Sequence, residues 1–184
     1  MNLTIEDWFV FYLYIHTQVD NKMSQCKETL RDAYRAMVYV SQHTPATARR
    51  VRTILTHSYP DLLASYTRFS GYVSQAALEE AAVNGYRKGV FIREHHLRMQ
   101  SSLTEWIKQG FLDHGFKTFE DKVIELSEIH ITLKSENSKL ISKTASYQNL
   151  GISLIHWEDI PPISRHVFHK ILKGKVKNLV EFPI

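Results

Sequence analysis

Hydrophobic positions in the first half of the 184-residue chain recur at helical spacing. The run Trp8 to Ile15 is apolar nearly all round, so a helix from about Ile5 to Asp20 is expected to be buried on several sides or to form a homo-oligomer interface. A second helix is predicted from Ser24 to about Gln42. Three more are expected at about 45–57, 60–69 (ended by Gly71) and 75–86. Residues 1–89 are therefore predicted to form a helical scaffold.

The second half mixes strand-like and helical patterns. Two short β-like runs, Val90 to Ile92 and Ile129 to Leu133, are separated by two predicted helices, and the second run leads directly into a helical segment at 134–140. A further strand-like run, Ile152 to Trp157, precedes a last helix. The predicted fold class is α+β and mainly α-helical. Residues 90–184 form a ββα-like module split by helical insertions, in one compact unit with residues 1–89. Pairing of the two strands is itself an inference, because the connection is far longer than a hairpin turn.

The composition is that of a folded globular protein, with 43% hydrophobic and 11% aromatic residues. Cys26 is the only cysteine, which excludes an intrachain disulfide and a thiolate zinc site within one chain. The N-terminus has acidic residues where a signal peptide has positive charge, and the apolar run of the first helix is too short to span a bilayer. We therefore expect a cytoplasmic protein with no membrane partner.

Charge gives a mild preference for polyanionic partners. The net charge is +4 and the isoelectric point is near 9.1. Arg49, Arg50 and Arg52 gather on the third predicted helix, either as a solvated face or as contacts to phosphates. Around the predicted strands, the further candidates for nucleic-acid contact are Arg93, Arg98 and Lys134.

The strongest candidate chemistry is the tripeptide Glu94-His95-His96, which follows the first β-like run. Histidine suits proton transfer or metal binding near neutral pH because its ordinary pKa is close to 6.5. The second run continues into Lys134-Ser135-Glu136-Asn137-Ser138-Lys139-Leu140, a helix with polar side chains of the ligand type.

The order of an acid-His strand end, a second strand and a helix with a late Asn resembles the HNH, or ββα-metal, nucleases of phages and bacteria. The resemblance covers about residues 90–155. It implies a metal-dependent nuclease that hydrolyses phosphodiester bonds in DNA or RNA with Mg²⁺, Mn²⁺ or Zn²⁺. Glu94 and Asn137 would be metal ligands and His95 the general base, with His96 or His130 completing the set.

Three features depart from the family pattern. No clear middle Asn of the motif precedes Ile129. Leu97-Arg98 stands where a proline usually follows the first histidine, and the terminal ligand is Asn137 rather than histidine. Two alternatives therefore remain open. The histidines at the strand end could simply bond to backbone groups. The chain could also be a non-enzymatic phage or mobile-element accessory protein that binds a host protein or nucleic acid through its helical half and basic faces.

Overall fold

The computed structural model describes residues 5–140 and 146–184, without the side chains of residues 5–23. This part of the chain forms eight α-helices and a sheet of four strands. The helices are α1 (Ile5–His43), α2 (Ala48–Ser58), α3 (Pro60–Ser65), α4 (Gln75–Asn84), α5 (Met99–Lys108), α6 (Gly115–Leu126), α7 (Lys134–Leu140) and α8 (Pro162–Leu172). The strands are β1 (Arg68–Ser74), β2 (Phe91–His95), β3 (Glu128–Leu133) and β4 (Leu154–His156). The predicted mainly helical α+β fold class is confirmed.

Strands β2 and β3 pair in antiparallel fashion, with Glu94 opposite His130. The strand pairing inferred from the sequence is therefore confirmed. The sheet order is β2-β3-β1-β4, in which β1 runs parallel to β3 and antiparallel to β4. Helix α7 follows β3 directly and contacts both β2 and β3. These three elements form a strand, strand and helix unit, with α5 and α6 inserted between its strands.

The prediction of a helix from residue 60 to residue 69 is wrong beyond Ser65, because β1 begins at Arg68. Phe69, Gly71 and Val73 alternate into the interior, as the two-residue period of a strand requires. Gly71 has φ +88° and lies where the register between β1 and β3 shifts, so it forms a bulge and does not end a helix. The sheet thus takes strands from both sides of the predicted boundary at residue 89.

Two predicted helix boundaries in the first half are also corrected. The predicted break near residues 20–24 is absent, since α1 is continuous and contains neither Gly nor Pro to end it. Helix α2 begins at Ala48, three residues after its predicted start, because Thr47 is its N-cap and accepts a hydrogen bond from the Arg50 amide at 3.4 Å. The predicted oligomer face at Trp8 to Ile15 lies outside the side chains that the structure describes.

The buried residues form two hydrophobic clusters. The first lies among the helices α1, α2, α3, α5 and α6, and includes Leu30, Leu55 and Phe119. The second covers one face of the sheet, where Phe69 and Ile131 pack with residues of α4 and α8 such as Ala77 and Phe168. Because strand side chains alternate between faces, the opposite face of the same strands carries a separate set of residues. That second face is polar.

The C-terminal segment completes the edge of β1 that β4 leaves unpaired. The side chain of Asn178, which is 7% exposed, bonds both backbone groups of Phe69. Its Oδ1 accepts from the Phe69 amide at 2.8 Å, and its Nδ2 donates to the Phe69 carbonyl at 2.9 Å. One residue earlier, the Lys177 amide donates to the Thr67 carbonyl at 3.0 Å. The amide side chain therefore acts as a short piece of neighbouring strand.

Candidate functional site

The polar face of the sheet brings together side chains from all four strands. Ser70 and Tyr72 come from β1, Glu94 from β2 and His130 from β3. The ring of His156 in β4 contacts that of Tyr72, with their centroids 5.2 Å apart. These residues span positions 70–156, so the face exists only once the sheet has formed.

His130 lies at the centre of this face and is 3% exposed. Its Nδ1 is 2.7 Å from Ser70 Oγ, and its Nε2 is 3.0 Å from His96 Nδ1. The rings of His96, Tyr147 and Tyr72 stand edge-on around it, at centroid distances of 4.9, 5.2 and 5.7 Å. Burial, together with the nearby His96, lowers the pKa of His130 to about 4. His130 is therefore neutral at pH 7.

The hydrogen bonds define which nitrogen of each ring holds a proton. The single proton of the Ser70 hydroxyl goes to the Ile129 carbonyl at 2.8 Å, since that oxygen can only accept. His130 Nδ1 then donates to Ser70 Oγ, and the neutral His130 accepts from His96 Nδ1 through its Nε2. In neutral His96 this leaves Nε2 unprotonated. His96 is exposed, so Nε2 is the nitrogen of the pair that can exchange protons with a ligand.

Glu94 and Asn137 meet across the junction between β2 and α7. The Asn137 amide faces both carboxylate oxygens of Glu94, and the orientation that satisfies both groups has its nitrogen donating to them, at 3.2 Å to Oε1. Burial raises the pKa of Glu94, and the positive charge of Arg98 opposes this in part. The Tyr147 hydroxyl is also buried and has no hydrogen-bond partner among the described residues. Burial and the carboxylates of Glu94 and Glu136 raise the pKa of Tyr147, so this phenol remains protonated beside Glu94.

Glu136 positions the helix that presents Asn137. Its carboxylate accepts from the Leu133 amide at 2.9 Å, which is the bond that a Glu three residues into a helix makes back to the residue before it. The same oxygen accepts from Ser74 Oγ at 2.6 Å, and Ser74 in turn caps α4 by accepting from the Ala77 amide at 3.2 Å. The N-termini of α4 and α7 are thereby linked.

His95 occupies the other side of β2. Its register partner is Ile129, a core residue of the opposite sheet face. The His95 ring bonds to the Leu126 carbonyl, and its desolvation lowers the His95 pKa in spite of that bond. By strand alternation, the structure brings His96 to Glu94 and His130, and directs the His95 side chain away from them. His95 therefore matches the alternative in which a strand-end histidine bonds to backbone.

The predicted metal ligands Glu94, His130 and Asn137 lie on one face of the sheet, where they contact other side chains. Both ring nitrogens of His130 are engaged, by Ser70 and by His96. The Asn137 amide faces Glu94, and in the orientation that satisfies both groups its nitrogen is directed to the carboxylate. Within residues 5–140 and 146–184, no three His, Cys, Asp or Glu side chains are grouped so that they could hold an ion. This part of the chain thus offers no ready group of three such ligands to a divalent metal.

A cavity of about 360 Å³ opens beside Glu94 and His96. Its lining consists of Glu94, His95, His96, Leu97, Arg98, Ser101, Ser102, Leu140, Ser146 and Tyr147. Arg98 is the N-cap residue of α5 and makes no side-chain cap, and there is no acidic residue in the first turn of that helix. The positive end of the helix dipole and the guanidinium of Arg98 favour an anion in this cavity.

The three arginines predicted as a cluster on α2 have different surroundings. Arg49 and Arg50 are exposed, as are Arg93 and Lys134 near the sheet. Arg52 is only 7% exposed, and its Nη1 donates to the Gln100 carbonyl at 3.2 Å and to Gln100 Oε1 at 3.3 Å. Arg52 therefore joins α2 to the start of α5 and does not lie on the solvated face with its neighbours.

No family model, curated protein or solved structure matches this chain. The likeness to HNH nucleases thus stays a prediction from the sequence. Among the described residues, no helix combines the length and the apolar character that a membrane crossing requires.

Sequence reasoning missed two residues of the site, Ser70 and Tyr147. Ser70 lay between the predicted end of a helix at residue 69 and Gly71, so nothing suggested that it would face His130. The place of Tyr147 between His130 and Glu94 depends on a long-range contact. The one feature of the sequence that could have pointed to Tyr147 is that it is an aromatic residue in a polar segment.

Proposed function

We propose that this chain is a nuclease that cleaves phosphodiester bonds on the polar face of its sheet. The proposal is supported above all by the way β2, β3 and α7 bring Glu94, His96, His130 and Asn137 to one place. Residues 94 and 137 are distant in sequence, yet their side chains lie in contact. A carboxylate, an imidazole and a neighbouring guanidinium are the groups that phosphoryl chemistry uses for proton transfer and charge stabilisation.

In this proposal His96, and not His95, transfers the proton. His130 and Ser70 act as positioning residues, because they fix the His96 ring through Nδ1 and leave Nε2 for the substrate. Arg98 and the N-terminus of α5 hold the phosphate in the adjoining cavity. Because no three such ligands are grouped among the described residues, the roles are given to the side chains themselves.

A non-enzymatic function is the second candidate. The exposed Arg49 and Arg50 on α2, in a chain of net charge +4, favour contact with a polyanion away from the cavity. A phage or mobile-element accessory protein that binds nucleic acid, or a host protein, in the cytoplasm would use this surface. Such a protein would not need the Glu94 and His96 side chains.

Cleavage of labelled single- and double-stranded DNA and RNA, in Mg²⁺, Mn²⁺ or EDTA, separates the two functions. We expect His96→Ala to lower the cleavage rate by about 10²- to 10⁴-fold, the usual contribution of a general acid or base. His95→Ala is the matched comparison, since the His95 ring also lines the cavity but bonds to the Leu126 carbonyl, and it is expected to lower the rate far less than His96→Ala does.

Circular dichroism would first show that both variants are folded. Activity that survives in His96→Ala but is lost in His95→Ala would refute the assignment of the proton-transferring histidine. No cleavage by the native chain, together with nucleic-acid binding that is lost in Arg49→Ala/Arg50→Ala, would favour the binding function.

A further inference from the structure

We infer that the substrate is RNA and that cleavage proceeds by attack of the ribose 2′-hydroxyl, with Glu94 as general base and His96 as general acid. This inference depends on the proposed nuclease function and specifies its substrate and its mechanism. It follows from the geometry of the two side chains, from the contacts that hold each of them, and from the absence, among the described residues, of three grouped metal ligands.

Glu94 and His96 are spaced to act on one phosphate. They are two residues apart on the same face, so their Cα atoms are about 6.6 Å apart at a rise of about 3.3 Å per residue. Both line the cavity. In an in-line displacement the attacking and the leaving oxygens lie on opposite sides of phosphorus. A pair of groups at this spacing can therefore each reach a different oxygen within hydrogen-bond distance.

Each side chain is held in the form that its role requires. When His96 has a proton on both nitrogens, its Nδ1–H still donates to the neutral His130 at 3.0 Å, so Nε2–H remains directed to a ligand. The Asn137 amide holds the Glu94 carboxylate by donating to it. Burial raises the pKa of Glu94, which makes the carboxylate a better proton acceptor than an exposed one.

The reaction balances without a co-reactant. Glu94 takes the proton of the 2′-hydroxyl while the 2′-oxygen forms a bond to phosphorus. The bond from phosphorus to the 5′-oxygen breaks, and His96 Nε2 gives its proton to that oxygen. The products are a 2′,3′-cyclic phosphate and a 5′-hydroxyl. Proton exchange with water then restores the carboxylate and the imidazolium.

DNA offers no such internal nucleophile. Cleavage of DNA needs an activated water, and in ββα-type sites a bound metal assists that step and stabilises the leaving oxygen. In the described part of the chain, the side chains that could have held the ion are engaged with each other. Proton transfer between oxygens of RNA requires only the two groups that the site provides. Arg98 beside them stabilises negative charge on the phosphate oxygens.

The test uses the full chain and three oligonucleotides of one sequence in EDTA. The first is DNA with a single ribonucleotide, the second has a 2′-O-methyl group at that position, and the third is entirely DNA. We expect cleavage of the first alone, on the 3′ side of the ribonucleotide, with a terminal 2′,3′-cyclic phosphate seen by mass spectrometry. Glu94→Gln, which is nearly isosteric, and His96→Ala are each expected to lower the rate about 10²- to 10⁴-fold.

Other outcomes separate this inference from the proposed function. Cleavage of the all-DNA strand in Mg²⁺ or Mn²⁺, and none in EDTA, would overturn the inference and leave a nuclease. The same holds if the 2′-O-methyl substrate is cut as fast as the ribonucleotide substrate. If no substrate is cut under any condition by chain that circular dichroism shows to be folded, both proposals fail. Full activity in Glu94→Gln would refute the role of the carboxylate.

Discussion

Lowering the pH from 7 to 4 is expected to destabilise the fold through His130. Burial and the neighbouring His96 lower the pKa of this histidine to about 4 from its ordinary value of 6.5. Between these two values the unfolded chain binds a proton at this position and the folded chain does not. Stability therefore decreases as the pH falls through this window, and above pH 6.5 His130 adds no pH dependence.

The expected size follows from the difference between the two pKa values. They differ by about 2.5 pH units, and each unit corresponds to about 1.4 kcal/mol, so the free energy of unfolding should fall by about 3 kcal/mol at pH 4. His130 is 3% exposed, so solvent screening reduces this value little. A loss of this size is a large part of the roughly 5–15 kcal/mol that stabilises an ordinary domain.

Urea unfolding of the native chain and of His130→Gln, between pH 4 and pH 7, would measure this contribution. Glutamine stays neutral throughout, so the difference in unfolding free energy between the two proteins isolates the proton on His130. Other groups that face His130, namely His96, Glu94, Tyr72 and Tyr147, are present in both proteins. The raised pKa of Glu94 acts in the opposite direction, because the folded chain then binds the proton more tightly.

The native chain should lose about 3 kcal/mol relative to the variant on acidification. If the difference in unfolding free energy between the native chain and His130→Gln stays constant from pH 7 to pH 4, His130 has the same pKa in the folded and the unfolded chain. The neutral, buried state of His130, and with it the derived proton positions of the His96 pair, would then be wrong.

Two further predictions concern the edge and the bulge of β1. Asn178→Ala removes both bonds to Phe69 and leaves a backbone N–H and C=O unpaired, so urea unfolding should show a loss of about 2–4 kcal/mol; a loss below about 0.5 kcal/mol would mean that water replaces the amide. Gly71→Ala places a Cβ 3.2 Å from Phe182 Cε1 and 3.3 Å from His156 Nε2 at φ +88°. It should cost about 1–3 kcal/mol. Gly85→Ala, also at positive φ but with nothing within 4 Å, is the control and should cost less.

The elements that could be predicted from the sequence are those that depend on local patterns. Strand β3 and helix α7 follow from the alternation of Ile129 to Leu133 and from the polar helix after it. Their pairing with β2 was inferred from the resemblance to a ββα unit, and the register confirms it. Local side-chain chemistry also fixed the start of α4, since Ser74 caps it as a serine in that position should.

The rest depended on contacts that a local pattern does not contain. Strand β1 was missed because Gly71 in a short segment also fits a helix end, and its partner β3 lies about 60 residues later. The choice between His95 and His96 depends on the phase of one strand, and a shift of a single residue exchanges the two faces. The burial of Arg52 depends on the packing of α5 against α2, which composition does not reveal.

The bonds between Asn178 and Phe69 also have a consequence for how the chain folds during synthesis. The two residues are 109 positions apart. At a translation rate of roughly 5–20 residues per second, Asn178 is therefore synthesised roughly 5 to 20 seconds after Phe69, and the edge of β1 stays unpaired during that time. The helical cluster has many local contacts and can begin to form meanwhile. An unpaired strand edge is prone to pair with other chains. Slower translation of residues 70–178 should therefore increase aggregation of the nascent protein more than slower translation of the first helix.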